Sequence, residues 1–204
     1  MFKRVVVTGI GMINSVGLDK DSSFKAITEG KCGVRKITLF DASNHPVNIA
    51  AEVDGFDPEA VLDGKEVKKA DRFIQLGLKA AQDAVKDANL DEFDTERFGI
   101  SSSSGIGGLP NIEKNSIISH TKGPRKISPF FIPSALANML GGFVSIQYGL
   151  KGPNLSSVTA CAAGAHAISE AVKTIMIGGA DKMLVVGAEA AICDVGIAGF
   201  AAMR

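Results

Sequence analysis

Leu155-Ser156-Ser157-Val158-Thr159-Ala160-Cys161-Ala162-Ala163-Gly164 is the stretch on which the architecture turns. Leu155 to Thr159 reads as a short buried strand, and Cys161 to about Ile177 as a buried helix. Met183 to Gly187 follows as the next strand. Working backwards, Phe98 to Ser101 reads as another central strand that runs into a loop of small residues, Ser102 to Gly108. Val5-Val6-Val7 before Thr8-Gly9 reads as a first buried strand ended by a glycine turn. Strand, helix and strand in this alternation predict an α/β fold, a mostly parallel sheet with right-handed crossovers and helices on its faces.

The intervening segments carry their own signals. Asp19 to Glu29 is expected to be a helix with Phe24 and Ile27 inward and Gly30 as its stop. Residues 31 to 65 are turn-rich, with strand-like pieces at Ile37–Leu39 and Asn48–Val53, and Asp57-Pro58 is an N-cap followed by proline. From Lys68 the period becomes helical, with Ile74, Leu78, Ala81, Val85 and Ala88 on one face and Asn89 as the stop. Pro133 is expected to open one apolar helix reaching about Gln147. The chain shows neither an internal repeat nor an obvious linker.

Composition narrows the function. The 204 residues are 46% hydrophobic and 22% charged, with 22 basic and 22 acidic side chains. A balanced charge offers no global field for nucleic acid or anionic membrane. The most apolar stretch, Ala162 to Gly178, is broken by His166, Ser169, Glu170 and Lys173, so a soluble protein is expected. The N-terminus is too short in apolar residues for a signal peptide. Three cysteines without framework spacing suit a reducing cytoplasm.

Cys161 carries the most specific chemical suggestion. At a strand-to-helix turn, the positive end of the helix favours thiolate, and helix-start N–H groups can face a developing oxyanion. Ala162, Ala163 and Gly164 leave room for a substrate. The arrangement is that of a nucleophile elbow with sulfur in place of oxygen. On spacing alone, the usual fate of a free cysteine, a small buried hydrophobe, stays open. Cys32 and Cys193 read as inert. His166, five residues on, lies about 140° past a full helical turn and diverges from Cys161. It reads as a core or interface histidine, and His45 and His120 as surface residues. No residues show metal-ligand spacing, so neither metal nor cofactor is expected. Gly9-Ile10-Gly11 resembles a dinucleotide-binding turn, but Asn14 stands where a third glycine belongs, so a tight turn is the better reading. Two basic clusters, Lys65, Lys68, Lys69 and Arg72, then Lys122, Arg125 and Lys126, are either solvated faces or a landing site for an acidic protein.

Taken together, VVVTGIGMINSVG, SSSSGIGGLPNIE, GPRKISPFFIPSALANMLGG and GLKGPNLSSVTACAAGAHAI, with GGAD and VVGAE after them, closely resemble the β-ketoacyl-acyl carrier protein synthases. The resemblance runs from Val5 to Arg204, and GPRKISPFF and the isoleucine of SGIGG are most similar to the type II enzymes of fatty acid synthesis. It implies a thiolase-like layered fold of two similar halves, of which residues 1–204 are the first. It also implies that Cys161 takes an acyl chain from acyl carrier protein, after which decarboxylation of malonyl-acyl carrier protein gives the carbanion that attacks the thioester. Ile106 would gate the acyl pocket, and Phe131 and Phe200 would border it. Lys65, Lys68, Lys69 and Arg204 would dock the acidic carrier protein. The active enzyme would be a homodimer that pairs the strand before Cys161 across its two-fold axis.

One departure is large. The family's two decarboxylation histidines and its lysine lie in a second half, and none of His45, His120 and His166 matches them. The expectation is therefore part of a longer enzyme, inactive alone. A polyketide-type condensing enzyme is the alternative within the fold. A non-catalytic chain-length partner is disfavoured by Cys161, and a nucleotide-dependent oxidoreductase by the incomplete glycine pattern.

Overall fold

A computed structural model describes residues 2–90 and 93–203. Its centre is β3 (Phe98–Ser103), buried along its whole length because strands flank it on both sides. β4 (Asn154–Ser157) pairs with it in parallel, Ile100 opposite Asn154. On the other side β5 (Lys182–Gly187) pairs in parallel, Phe98 opposite Lys182 through Ser103 opposite Gly187. A second, small sheet joins β1 (Arg35–Lys36) to β2 (Ile49–Ala50) in antiparallel fashion.

Stepping from β3 out to β4, and then back past β3 to β5, reverses direction across the sheet. Two right-handed crossovers of opposite sense must place their helices on opposite faces. The first crossover contains α4 (Leu109–Lys122), α5 (Phe131–Ala135) and α6 (Met139–Tyr148), and the second is α7 (Ala163–Met176). α6 joins α3 (Arg72–Asp87) in the main core, where Phe73, Ile74, Leu78, Leu140 and Val144 pack on Phe98, Ile100, Leu184 and Val186. α7 lies outside that cluster and buries only alanines, Ala163, Ala167 and Ala171, so it can approach the strands closely.

The α/β class and parallel sheet match the expectation, while several elements differ. Val5–Val7 is no paired strand: Val7 is 81% exposed, and the backbone of Phe2–Gly9 forms no ladder. The segment is pinned at its ends instead, by the Lys3–Asp181 ion pair and by Ile10 N–H donating to Asp87. A groove of about 750 Å³ separates it from β5, lined also by alanines of α3 and the aliphatic face of α7. Gly9 and Gly11 cross α3 so closely that a Cβ would lie 2.3 Å from Ala84 O and 1.9 Å from Ala80 O. Close packing on a helix therefore accounts for the Gly-x-Gly turn.

α1 (Lys20–Thr28) is capped by Asp19, with Gly30 at φ +71° as its stop, but its inward face is Ser23 and Ala26. Phe24, 70% exposed, and Ile27 point outward. Small residues are selected because Gly17 runs against Ser23, whose hydroxyl accepts from Asn14. The helix expected to open at Pro133 is two helices, α5 and α6, divided at Leu136, whose ψ of 128° is extended. The strand-like pieces near residues 37 and 48 shrink to the two-residue β1 and β2. Asp57-Pro58 caps only a 3₁₀ turn, Pro58–Ala60, and α2 (Gly64–Val67) precedes α3.

Candidate active site

The chain leaves β4 through Val158 and Thr159 and enters a 3₁₀ turn, Ala160–Ala162, before α7 begins. Ala160 has φ +51°, and among the described residues only Asn89 is another non-glycine with positive φ. A Cβ in the left-handed region costs about 1–2 kcal/mol, so the turn is held against local strain. Two bonds hold it: Ala162 N–H donates to Thr159 O at 3.1 Å, and Thr159 Oγ1 lies 2.7 Å from His166 Nδ1. The result lifts Cys161 to the surface, contrary to the small-hydrophobe reading. His166 is also exposed rather than buried in the core, and it braces the turn through Thr159.

Against this turn lies the loop from Ser104 to Gly108. A Cβ on Gly105 would come within 3.7 Å of Ala160 Cα. Ile106 is 39% exposed, and its N–H donates to Glu189 Oε2 at 2.9 Å. The other side of the loop rests on α5, where Gly108 N–H donates to Ala135 O at 3.0 Å. Phe131 opens α5 and is partly buried. The Cys161 turn, the Ile106 loop and α5 are thus contiguous. Phe200 is on α8 (Asp194–Ala202), 58% exposed.

Polar side chains that the sequence reading passed over hold these pieces together. Asp71 caps α3, accepting from Phe73 N–H, and also accepts from Asn111 N–H at the start of α4. Burial raises its pKa from 3.8 to about 6, with the Glu189 charge adding to the rise. Asn111 donates to Phe131 O and Ser134 Oγ, and Asn115 donates to Asn111 Oδ1 while accepting from Ser128 N–H. The available signal was two asparagines one helical turn apart, each too polar to be buried unless bonded.

The basic residues divide. Lys65 and Lys68 are exposed and unpaired among the described residues. Lys69 is paired with Glu66 and sits 5.2 Å above the Phe130 ring. Arg72 stacks on Phe56 at 4.9 Å and donates to Phe56 O and Val53 O, so its role is structural. The Lys69–Phe130 contact brings α2 to the segment after Lys122, Arg125 and Lys126, all three exposed. Arg204 lies outside the described residues. His120 is exposed, but His45 is not the expected surface residue. Its side chain is 11% exposed, edge-on to Phe40 and 3.4 Å from Asp194. Among the described residues no cluster of three or more metal-ligand side chains forms.

Cys32 and Cys161 are exposed and Cys193 is buried. Burial, with the Glu113 carboxylate beside it, pushes the Cys193 thiol up to about 11. A limiting dose of iodoacetamide at pH 8, mapped by peptide mass spectrometry, is expected to label Cys161 ahead of Cys32 and to leave Cys193 unmodified. Equal labelling of all three would remove the case for a special thiol.

Comparison with known proteins identifies the family and the fold. The family model "Beta-ketoacyl synthase, N-terminal domain" matches residues 2–204. The 3-oxoacyl-[acyl-carrier-protein] synthase 2 of Coxiella burnetii is 49% identical over 204 residues, which are 99% of this chain and 49% of that protein. The protein of the same name from Vibrio cholerae is 44% identical with the same coverage. The chain therefore spans about half the length of these curated relatives. Among solved structures, the ketosynthase assembly AntDE:AntF, a type II polyketide acyl-carrier protein in complex with its ketosynthase, superposes with TM-score 0.83 at 27% identity. The match covers 98% of this chain and 55% of that one. The ishigamide ketosynthase/chain length factor gives TM-score 0.82 at 25% identity, over 98% and 56%. With a family match over nearly every residue and the ketosynthase fold around Cys161, this chain belongs to the β-ketoacyl synthase N-terminal domain family.

Proposed function

We propose that the chain is the nucleophile-bearing half of a 3-oxoacyl-acyl carrier protein synthase of type II fatty acid synthesis. The observation that carries this reading is an exposed Cys161 on a strained turn, with the Ile106 loop packed against it. The Cys161 thiolate attacks the carbonyl of an acyl thioester, and the carrier leaves as its thiolate, which takes a proton from water, so the acyl chain moves from one sulfur to another. Loss of carbon dioxide from a malonyl thioester then provides an enolate. Its carbon attacks the acyl carbonyl and Cys161 thiolate leaves. The relatives from Coxiella burnetii and Vibrio cholerae are named 3-oxoacyl-[acyl-carrier-protein] synthase 2, which favours fatty acyl over polyketide substrates.

Acyl transfer is testable on the chain itself. Incubation with decanoyl-acyl carrier protein is expected to add a decanoyl group to the Cys161 peptide, read by mass spectrometry. Ile106→Phe is expected to slow this about tenfold while leaving acetyl transfer nearly unchanged, since overpacking costs about 1–3 kcal/mol only where the long chain must pass. Acylation of Cys32 instead, or equal slowing at both lengths, would count against the assignment.

Acyl carrier protein is the proposed partner. Lys65 and Lys68 supply exposed positive charge next to Lys69, which is engaged with Glu66 and with Phe130 in the segment after the exposed Lys122, Arg125 and Lys126. Reversing Lys65, Lys68 and Lys69 to glutamate is expected to raise the carrier concentration for half-maximal acylation several-fold and to leave the saturated rate alone, because docking remote from the chemistry is uniform binding. A small acyl thioester without the carrier should react unchanged. The free edge of β4 and the exposed Val158, Ile146 and Ile168 support pairing of two such subunits. No helix among the described residues is long and apolar enough to cross a membrane, and we place the reaction in the cytoplasm.

A further inference from the structure

We propose that Glu189 is the positioning residue that holds the Ser104–Gly107 loop, and with it Ile106, against the Cys161 turn. The inference rests on the reading of Ile106 as the acyl gate, and it concerns what sets that gate.

Sheet register delivers the carboxylate. β3 and β5 run parallel with Ser103 opposite Gly187, and Ala188 N–H still donates to Ser103 O at 3.0 Å. Two residues beyond Gly187, Glu189 therefore stands beside the first residues after β3. There Oε2 accepts from Gly105 N–H at 3.0 Å, Ile106 N–H at 2.9 Å and Ser104 Oγ at 3.4 Å. Oε1 accepts from Ala190 N–H at 3.2 Å. Glu189 forms no ion pair among the described residues, and besides the loop its charge is felt by Asp71.

The C-terminal end of the loop is anchored on α5 by Gly108 N–H to Ala135 O, but its Gly105–Ile106 part depends on Glu189. Gly107 N–H donates to Ser104 Oγ, itself bonded to Glu189, and Gly107 is at φ +79°. Among the described residues the amides of Gly105 and Ile106 find their acceptor only in Glu189. A loop with glycines at 105, 107 and 108 has many alternative conformations to lose. One ionised acceptor shared by consecutive amides selects a single one of them, and charge-assisted bonds of this kind are the stronger class. On the Cys161 side the loop is in van der Waals range of the turn, a Cβ on Gly105 lying 3.7 Å from Ala160 Cα, while the closer approach, 3.0 Å, is to Glu189 Oε2. Releasing Glu189 therefore frees Ile106 to move away from the sulfur.

The test compares wild type, Glu189→Gln and Glu189→Ala in the 204-residue chain. Amide hydrogen exchange at Gly105 and Ile106, followed by NMR, is expected to accelerate at least about tenfold in Glu189→Ala. Glu189→Gln retains one carbonyl acceptor without charge and is expected to fall between. Ile74, Leu78 and Ile100 report whether the core is intact. If Glu189→Ala disturbs them, Glu189→Gln alone decides by the same criterion. Unchanged exchange at both loop amides overturns the inference. Gate function is read separately, from alkylation of Cys161 by N-octyl against N-ethyl maleimide. The octyl-to-ethyl rate ratio is expected to rise several-fold in Glu189→Ala. Faster exchange with an unchanged ratio would keep Glu189 as the holder of the loop and refute Ile106 as the gate.

Discussion

Mixed with acyl- and malonyl-acyl carrier protein, this 204-residue chain is expected to release no carbon dioxide above background. Cys161 and its turn provide a nucleophile, but decarboxylation needs donors placed to stabilise an enolate. The three histidines have other positions: His166 bonded to Thr159, His45 packed on Phe40, and His120 exposed on α4. The expected activity is therefore acyl transfer without condensation. Trapped radiolabelled carbon dioxide is the measurement. Robust release by the chain alone would mean that the catalytic machinery has been misplaced.

The groove beside β5 indicates what a complementing polypeptide must bring. Its two walls are backbone without ladder partners among the described residues, Arg4 to Gly9 on one side and the outer edge of β5 on the other. The alanines of α3 and the aliphatic face of α7 line it. An inserted strand would be covered on both faces and would have to be apolar throughout. Exposed Val6 and Val7 make this region sticky when it is open. Co-expression with the remaining half of a 3-oxoacyl-acyl carrier protein synthase 2 is expected to protect the β5 amides from exchange and to restore carbon dioxide release. Protection without activity would separate fold completion from the supply of catalytic groups.

Legibility of the fold followed from where the information lay. Phe98–Ser101, Met183–Gly187 and the turn at Cys161 are readable because strands between helices leave short apolar or small-residue runs. β3 nevertheless continues through Ser103, expected as loop, and β5 is only partly buried. Val5–Val7 has the same local signature, yet strand formation needs a neighbour, and no neighbour is encoded in three valines. Phe24 and Ile27 misled for a related reason: periodicity identifies a face, and close packing on Gly17 chose the small-residue face instead. At the site, Cys161 stood out by chemistry and the Ile106 loop by its glycines. Glu189, Asp71 and Asn111 did not stand out, because partners 83 or 40 residues away are set by register and crossover rather than by spacing.

Asp71 gives the buried start of α3 and α4 a pH-dependent stability. Its carboxylate is buried where α3 and α4 begin, and its pKa of about 6 exceeds the ordinary 3.8 because burial disfavours the charge more than its three backbone donors favour it. Between these values the folded chain holds the proton more often than the unfolded chain. This group's contribution to stability therefore falls as pH rises from about 4, and the loss is complete above about 6. Two pKa units correspond to roughly 3 kcal/mol, and residual hydration reduces the expected loss to about 2 kcal/mol, some 30-fold in the folding constant. Asp71→Asn keeps an oxygen to cap α3 but gives up the second acceptor, so Asn111 N–H loses its bond and the variant's stability at pH 4 is expected to be lower. The diagnostic quantity is the difference between wild type and variant, because every other titrating group cancels in it. Urea unfolding at pH 4, 5, 6 and 7 is expected to show the wild-type advantage shrinking by about 2 kcal/mol across that range and then remaining level. A difference that stays constant from pH 4 to 7 would place Asp71 in water and remove the buried carboxylate from the support of the Ile106 loop.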